Sequence, residues 1–146
     1  MATERDLPAI VDIENGAFSD PWSERSFESL LHTSHAWFVV ATDAAEQLLG
    51  YAVLLVTVPD ADVANIAVAP RGRRQGTGRA LLTELMTRAR LSGVEAMFLE
   101  VRASNTPARA LYESLGFARV GSRRDYYREP REDAQVLRCD LVSPEE

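Results

Sequence analysis

The sequence predicts an α/β (α+β) fold: a mixed, mostly antiparallel central sheet with one parallel strand-helix-strand unit, flanked by about four helices. Three observations carry this. Strand-like runs between residues 36 and 68 are separated by short turns, which join antiparallel neighbours. A long run of helical period then lies between two apolar strand runs, and such a crossover brings its strands parallel with a right-handed connection. The length of 146 residues, with 46% hydrophobic and 26% charged residues, suits one globular domain of ordinary size, read here as residues 1–146.

The elements follow in order. Asp6 is placed to cap a helix whose apolar positions Leu7, Ile10, Ile13 and Ala17 recur at helical spacing, with Pro8 tolerated in the first turn. Pro21 and Trp22 end it, and Ser23 caps a short second helix carrying Phe27, Leu30 and Leu31. Residues 36–41, aromatic and β-branched, read as the first strand. A polar turn over 43–47 leads to a second strand over 48–58, and a tight turn at Pro59 and Asp60 to a third over 62–68. A Gly and Arg loop over 70–78 precedes a helix with Ala80, Leu81, Leu82, Leu85, Met86 and Ala89 on one face and Gly93 at its end. A fourth strand spans 96–101. Thr106 as cap and Pro107 in the first helical position open a last helix through Leu111 and Leu115, with Gly116 just past its end. Residues 117–120 and 134–141 read as two closing strands, and the tail over 143–146 as frayed.

Composition excludes several chemistries. All 16 basic residues are arginine, so lysine Schiff bases, a pyridoxal phosphate lysine and the P-loop lysine are absent. The net charge of -6 argues against a nucleic-acid partner, which would require a broad basic surface. Cys139 is the single cysteine. It forms no internal disulfide, multi-thiolate zinc sites are excluded, and it reads as a small strand residue. His32 and His35 lack ligand spacing, so no metal is expected. The longest apolar runs are about six residues and the acidic start lacks a signal peptide's basic region, so a cytoplasmic protein without a membrane partner is expected.

The loop reads Arg73-Arg74-Gln75-Gly76-Thr77-Gly78, with Arg71 and Arg79 beside it. Between a strand and a helix, backbone N–H groups and the helix dipole favour a phosphate group, and glycines allow its close approach. The plain alternative is a solvated basic turn. A dinucleotide fingerprint would need Gly or Ala where Leu81 stands, and a P-loop would need a lysine after its glycine, so both nucleotide readings fail.

With Asn65-Ile66-Ala67-Val68 ahead of it, this R-x-x-G-x-G loop resembles the acetyl-CoA loop of the GCN5-related N-acetyltransferase (GNAT) family. The stretches Phe98-Leu99-Glu100-Val101-Arg102-Ala103-Ser104-Asn105, Ala110-Leu111-Tyr112-Glu113-Ser114-Leu115-Gly116-Phe117, Arg123-Arg124-Asp125-Tyr126-Tyr127 and Pro21-Trp22-Ser23-Glu24 resemble the RimI-type branch, whose members acetylate the N-terminal alanine of a ribosomal protein. The likeness covers almost the whole chain. It implies the GNAT fold, acetyl-CoA as co-substrate and a ribosomal-protein N-terminal peptide as partner. It also implies cofactor contacts from Ile66, Ala67, Val68, Arg73, Arg74, Gln75, Gly76, Thr77, Gly78, Arg79 and Asn105. Related chains carry a fuller first strand ahead of the segment resembling residues 2–7, so that strand is expected to be stunted.

Glu100 is reached from the residues themselves. It is the only charged residue of the strand over 96–101 and sits near its carboxyl end, where open α/β sheets place ligands. The plain alternative is a solvent-facing glutamate. Acetyl transfer needs a neutral amine. An α-amino group of pKa ~7.7–8.0 is roughly a tenth neutral at pH 7, whereas a lysine at ~10.4 is neutral well below 0.1%. Moving a proton from pKa ~8 to an ordinary Glu at ~4.3 costs about 5 kcal/mol, so a useful base is raised by partial burial in an apolar strand or acts through water. The resemblance implies Glu100 as general base and Tyr112 as general acid toward the departing thiolate. A thiol of pKa ~8.5 hardly needs that proton, so Tyr112 is expected to contribute less than positioning does.

Asn105 has an equal claim as a helix-entry residue, and Tyr112 as a half-buried core tyrosine. Trp22, Tyr126 and Tyr127 are candidates for the peptide wall or for core and rim packing. Two other functions stay open from the sequence: acetylation of a small amine or lysine side chain, and a non-catalytic acyl-CoA-binding module.

Overall fold

The computed structural model describes residues 1–128 and 130–141. Its elements are α1 (Leu7–Ala17), α2 (Glu24–Leu31), β1 (Ala36–Thr42), β2 (Leu48–Thr57), β3 (Asp60–Val68), α3 (Thr77–Leu91), β4 (Ala96–Arg102), α4 (Thr106–Ser114), β5 (Ala118–Arg128) and β6 (Arg131–Asp140). The six strands form one sheet in the order β1-β2-β3-β4-β6-β5. Every neighbouring pair is antiparallel except β3 with β4, the two strands joined through α3. The predicted fold class is therefore the observed one. No helix of the described residues is long and apolar enough to cross a membrane.

Strand alternation divides the apolar residues between two layers. Val39, Ala52, Leu54, Met97, Leu99 and Val101 face Leu81, Leu82, Leu85 and Ala89 of α3, together with Tyr112 of α4. Phe38, Tyr51 and Val53 face Leu7, Ile10 and Ile13 of α1 and Phe27 of α2. Helices α1 and α2 pack on β1 to β3. The same face of β4, β6 and β5 thus lies beyond their cover.

The parallel pair is short. Asp60, Ala61 and Asp62 align with Ala96, Met97 and Phe98, and from there the two strands part. Ala64 has a role in this. The β2 partners step from Val53 opposite Asn65 to Leu54 opposite Val63, so Ala64 is an extra residue in β3. A bulge bends its strand and adds local twist, which turns the rest of β3 away from β4.

Several boundaries differ from the sequence reading. Asp6 does not cap α1. Its own backbone is already helical, so its carboxylate turns back to accept from the Thr3 N–H at 2.8 Å. The cap of α4 is Asn105, whose Oδ1 accepts from the Ala108 N–H at 3.2 Å, and Thr106 and Pro107 occupy the first two helical positions. Ser23 caps α2 as expected, accepting from the Ser26 N–H at 3.1 Å. Helix α3 begins at Thr77, inside the span read as loop.

The largest difference is β5, read as four residues and observed as eleven. It is an edge strand exposed along most of its length, so it lacks the apolar alternation that marks a half-buried strand. Its pairing with β6 supplies the order instead. Residues 1–3 form no strand, although the Ala2 N–H donates to the Phe38 carbonyl at 2.8 Å. The tail over 143–146 lies outside the described residues.

Gly50 of β2 allows the first turn of α3 to rest on the sheet. A Cβ there would stand 2.8 Å from the Ala67 carbonyl oxygen and 3.3 Å from both Leu81 and Thr77. Gly50→Ala should therefore lower unfolding stability by about 1–3 kcal/mol. Gly16→Ala, at an exposed helical position with nothing within 4 Å, should be neutral or gain up to ~1 kcal/mol. Urea denaturation of the two variants checks both, and equal midpoints would contradict the packing argument.

Candidate active site

Where β3 and β4 part, a cleft of about 770 Å³ opens on the face that α1 and α2 leave uncovered. One wall is the α1–α2 connection, with Phe18, Asp20 and Trp22. β3 contributes Asp62 to Ile66, and β4 contributes Leu99 to Arg102. The β5–β6 hairpin closes the far side with Tyr126, Tyr127 and Arg128. Across the cleft the Arg128 guanidinium meets the Asp20 carboxylate at 3.0 Å, joining the two walls through a pair of exposed side chains.

Glu100 lines this cleft, two residues past the last parallel pair with β3. Its side chain is 26% exposed and lies 3.2 Å from Arg123 Nε. The surroundings are not the apolar ones expected. Successive β4 residues alternate between faces, so Met97, Leu99 and Val101 enter the core while Glu100 turns toward the polar hairpin. The Tyr126 phenol is held above its ordinary pKa mainly by its hydrogen bond to Glu100. Asp62 is raised as well, by burial first and by the Glu100 charge second.

Tyr112 lines the same cleft from α4, 8% exposed, with its ring edge-on to Phe117 at 6.1 Å. Burial pushes its phenol up to about 12, so at neutral pH it holds its proton. Tyr127 is also pushed up to about 12, by burial and then by Glu100. The Arg102 guanidinium lies over its ring at 4.3 Å. Trp22, Tyr126 and Tyr127 thus all border the cleft, while Trp22 also packs on Phe27 at 5.5 Å.

The remaining sequence-predicted residues divide into three groups. Ile66 and Asn105 line the cleft with Glu100 and Tyr112. Ala67 and Val68 continue along β3, past its last partner on β4. Arg73, Arg74, Gln75, Gly76, Thr77, Gly78 and Arg79 lie beyond, outside the cleft lining and at the N-terminus of α3.

There the chain takes left-handed conformations at Arg74 (φ 64°) and Gly76 (φ 78°), which turn it into the helix. The first amides of a helix lack internal acceptors and favour an anion. Arg73 and Arg74 are exposed beside them. Thr77 and Gln75 act within the loop. The buried Thr77 hydroxyl donates to the Gly72 carbonyl at 2.9 Å, and the Gln75 side-chain amide to the Arg71 carbonyl at 2.8 Å. Arg79 donates to the Ser114 hydroxyl at 2.7 Å, tying α3 to α4.

Glu14 is the cleft residue that sequence reasoning missed. It is 1% exposed. Its carboxylate accepts from the Tyr51 hydroxyl, from Asn65 Nδ2 at 2.8 Å and from the Trp22 N–H at 2.8 Å. The available signal was its position. Spaced from Leu7 and Ile10 along the apolar stripe of α1, it is a charged residue on a face that should be buried. Cys139 is buried, and desolvation raises its thiol, in keeping with a structural strand residue.

Comparison with known proteins agrees with this architecture. Residues 7–117 match the model of the acetyltransferase (GNAT) family. The chain is 42% identical over 134 residues to the [ribosomal protein bS18]-alanine N-acetyltransferase of Escherichia coli strain K12, covering 90% of this chain and 89% of that protein. It is 33% identical over 139 residues to the enzyme of the same name from Haemophilus influenzae, covering 93% of each. The crystal structure of the ribosomal-protein-S18-alanine N-acetyltransferase from Escherichia coli superposes with a TM-score of 0.88 at 39% identity, over 99% of this chain and 94% of that one. Ard1 from Thermoplasma volcanium shares the fold at a TM-score of 0.90 and 22% identity, over 97% and 95% of the two chains. The family match spans most of the sequence and the identity holds along nine tenths of it, and the chain belongs to the GNAT family of acetyltransferases.

Proposed function

We propose that this protein transfers the acetyl group of acetyl-CoA to the α-amine of a ribosomal protein that begins with alanine, in the cytoplasm, with Glu100 as general base and Tyr112 as general acid. The observation that carries the reading is the convergence of Glu100 and Tyr112 on one cleft where β3 and β4 part, in a chain 42% identical to a bS18-alanine N-acetyltransferase. The neutral amine attacks the thioester carbonyl, the C–N bond forms, and the C–S bond breaks. The amine proton passes to Glu100 directly or through water, and the CoA thiolate takes a proton from Tyr112 or from solvent. No covalent enzyme intermediate is required.

The fit to acetyl-CoA rests on two features. Beyond Asp62, β3 has no partner on β4, so the backbone around Ile66, Ala67 and Val68 is placed to bond an extended pantetheine arm. Farther along, the α3 N-terminus with Arg73, Arg74, Gly76 and Gly78 suits the CoA phosphates. Asn105 already spends its Oδ1 on the helix cap, which leaves its amide N–H groups for the cofactor. Arg123 and Tyr126 orient the Glu100 carboxylate. Tyr112, protonated far above neutrality, is a competent donor.

Three outcomes are expected. A peptide beginning with alanine should be acetylated far faster than the same peptide with a blocked N-terminus and an internal lysine, as read by mass spectrometry. Acetyl found mainly on lysine would favour the side-chain acceptor, and cofactor binding without turnover the non-catalytic module. Gly76→Asp should weaken acetyl-CoA binding in calorimetric titration more than Gly76→Asn does. Both residues tolerate the left-handed backbone, and only Asp adds a negative charge beside the phosphates. Equal affinities would remove this loop from the phosphate site. Glu100→Gln should cut turnover by roughly 10²-fold near neutral pH with cofactor affinity unchanged, and should recover much of its rate as the amine deprotonates by itself. A deficit that stays constant from about pH 6 to 9.5 would assign Glu100 to organising the site instead.

A further inference from the structure

The connection between α1 and α2 forms one wall of the cleft, yet it has no regular structure of its own. Both of its ends are held by one residue. The Glu14 carbonyl accepts from the Phe18 N–H at 3.0 Å, and the Glu14 carboxylate accepts from the Trp22 N–H at 2.8 Å. The five residues from Phe18 to Trp22 thus begin on the Glu14 backbone, through the last bond of α1, and are closed at Trp22 by the Glu14 side chain.

The same carboxylate reaches the cofactor side. Asn65, which donates to it at 2.8 Å, lies beside the Ala64 bulge and immediately before Ile66, where β3 has already left β4. Tyr51 completes the set from β2. Burial, then the bond to Glu14, pushes the Tyr51 phenol far above its ordinary range, so it serves as a donor. A buried carboxylate accepting from three donors is costly to disturb, because any donor it loses stays buried and unpaired. The arrangement spans the acceptor wall and the cofactor strand with one rigid link.

We propose that Glu14 is a positioning residue for the acceptor: by holding the Trp22 backbone on one side and Asn65 on the other, its carboxylate sets the width of the cleft in which the amine is presented to the thioester. It touches no reacting atom. This rests on the acetyl-transfer reading above and adds the residue that places the acceptor.

The test uses the full chain and whichever amine the native enzyme acetylates best, so that a failure of the alanine-peptide assignment is seen first and separately. Glu14→Gln keeps the shape but replaces one acceptor oxygen by a donor. It should raise the acceptor KM about tenfold or more while acetyl-CoA affinity changes less than twofold. Glu14→Asp keeps the charge and shortens the reach, and should show the same split, which covers the case in which Glu14→Gln does not fold. Tyr51→Phe, which leaves the Trp22 and Asn65 bonds in place, should lower stability with little change in acceptor KM. Amide hydrogen exchange should lose protection at Trp22 in both Glu14 variants and keep it in Tyr51→Phe. An unchanged acceptor KM in a folded Glu14 variant overturns the proposal. So does a parallel loss of acetyl-CoA affinity, or a KM that tracks stability alike in all three variants.

Discussion

The parting of β3 from β4 is the constraint on which the rest of the molecule depends. A continuous parallel ladder would satisfy the backbone of both strands and leave no cleft between the halves of the sheet. Here the ladder stops after Asp62 and Phe98, and the bulge at Ala64 turns β3 outward while its pairing with β2 continues. The opening exposes one edge of β3 and brings Glu100, on the next residue of the same β4 face, to its floor. Backbone geometry thus creates both the cleft and the place for its acid.

The two walls solve different problems. The α1–α2 wall is short of regular structure and is fastened from within by the buried carboxylate of Glu14. The hairpin wall is fastened from outside. Arg102 donates to the Pro130 carbonyl at 2.8 Å, and the Ser104 N–H donates to Glu132 at 2.6 Å, which secures the β5–β6 turn to the β4–α4 connection. The walls meet through Asp20 and Arg128. Exposed pairs of that kind contribute little to stability, about 0–1 kcal/mol.

Much of this was legible in the sequence because local rules and tertiary packing agreed. The helical stripes of α1 and α3, the Ser23 cap and the crossover between β3 and β4 all reflect periodicities that the core then uses. The family resemblance implies roles for both Glu100 and Tyr112, and both residues line one cleft. Reading failed where burial does not follow the local pattern. β5 has no apolar alternation to detect, since its order comes from β6. The choice of Asn105 over Thr106 as cap is a matter of one backbone conformation.

What the sequence by itself determined is therefore the layering and order of elements, the absence of lysine chemistry, and the position of a Gly and Arg loop ahead of a helix. Each depends on residue type and spacing along the chain. What only the tertiary structure decided is the surroundings of the charged groups. Glu100, read as lying in an apolar strand, faces Arg123 and Tyr126. Glu14, which the sequence reading did not single out, is the most completely buried carboxyl group among the described residues. The physical reason is common to both. A side chain's neighbours in space come from strands and helices distant in sequence, Tyr51 and Asn65 for Glu14 and Arg123 for Glu100. The electrostatics of a site belong to that assembly and leave no trace in the spacing of residues along one segment.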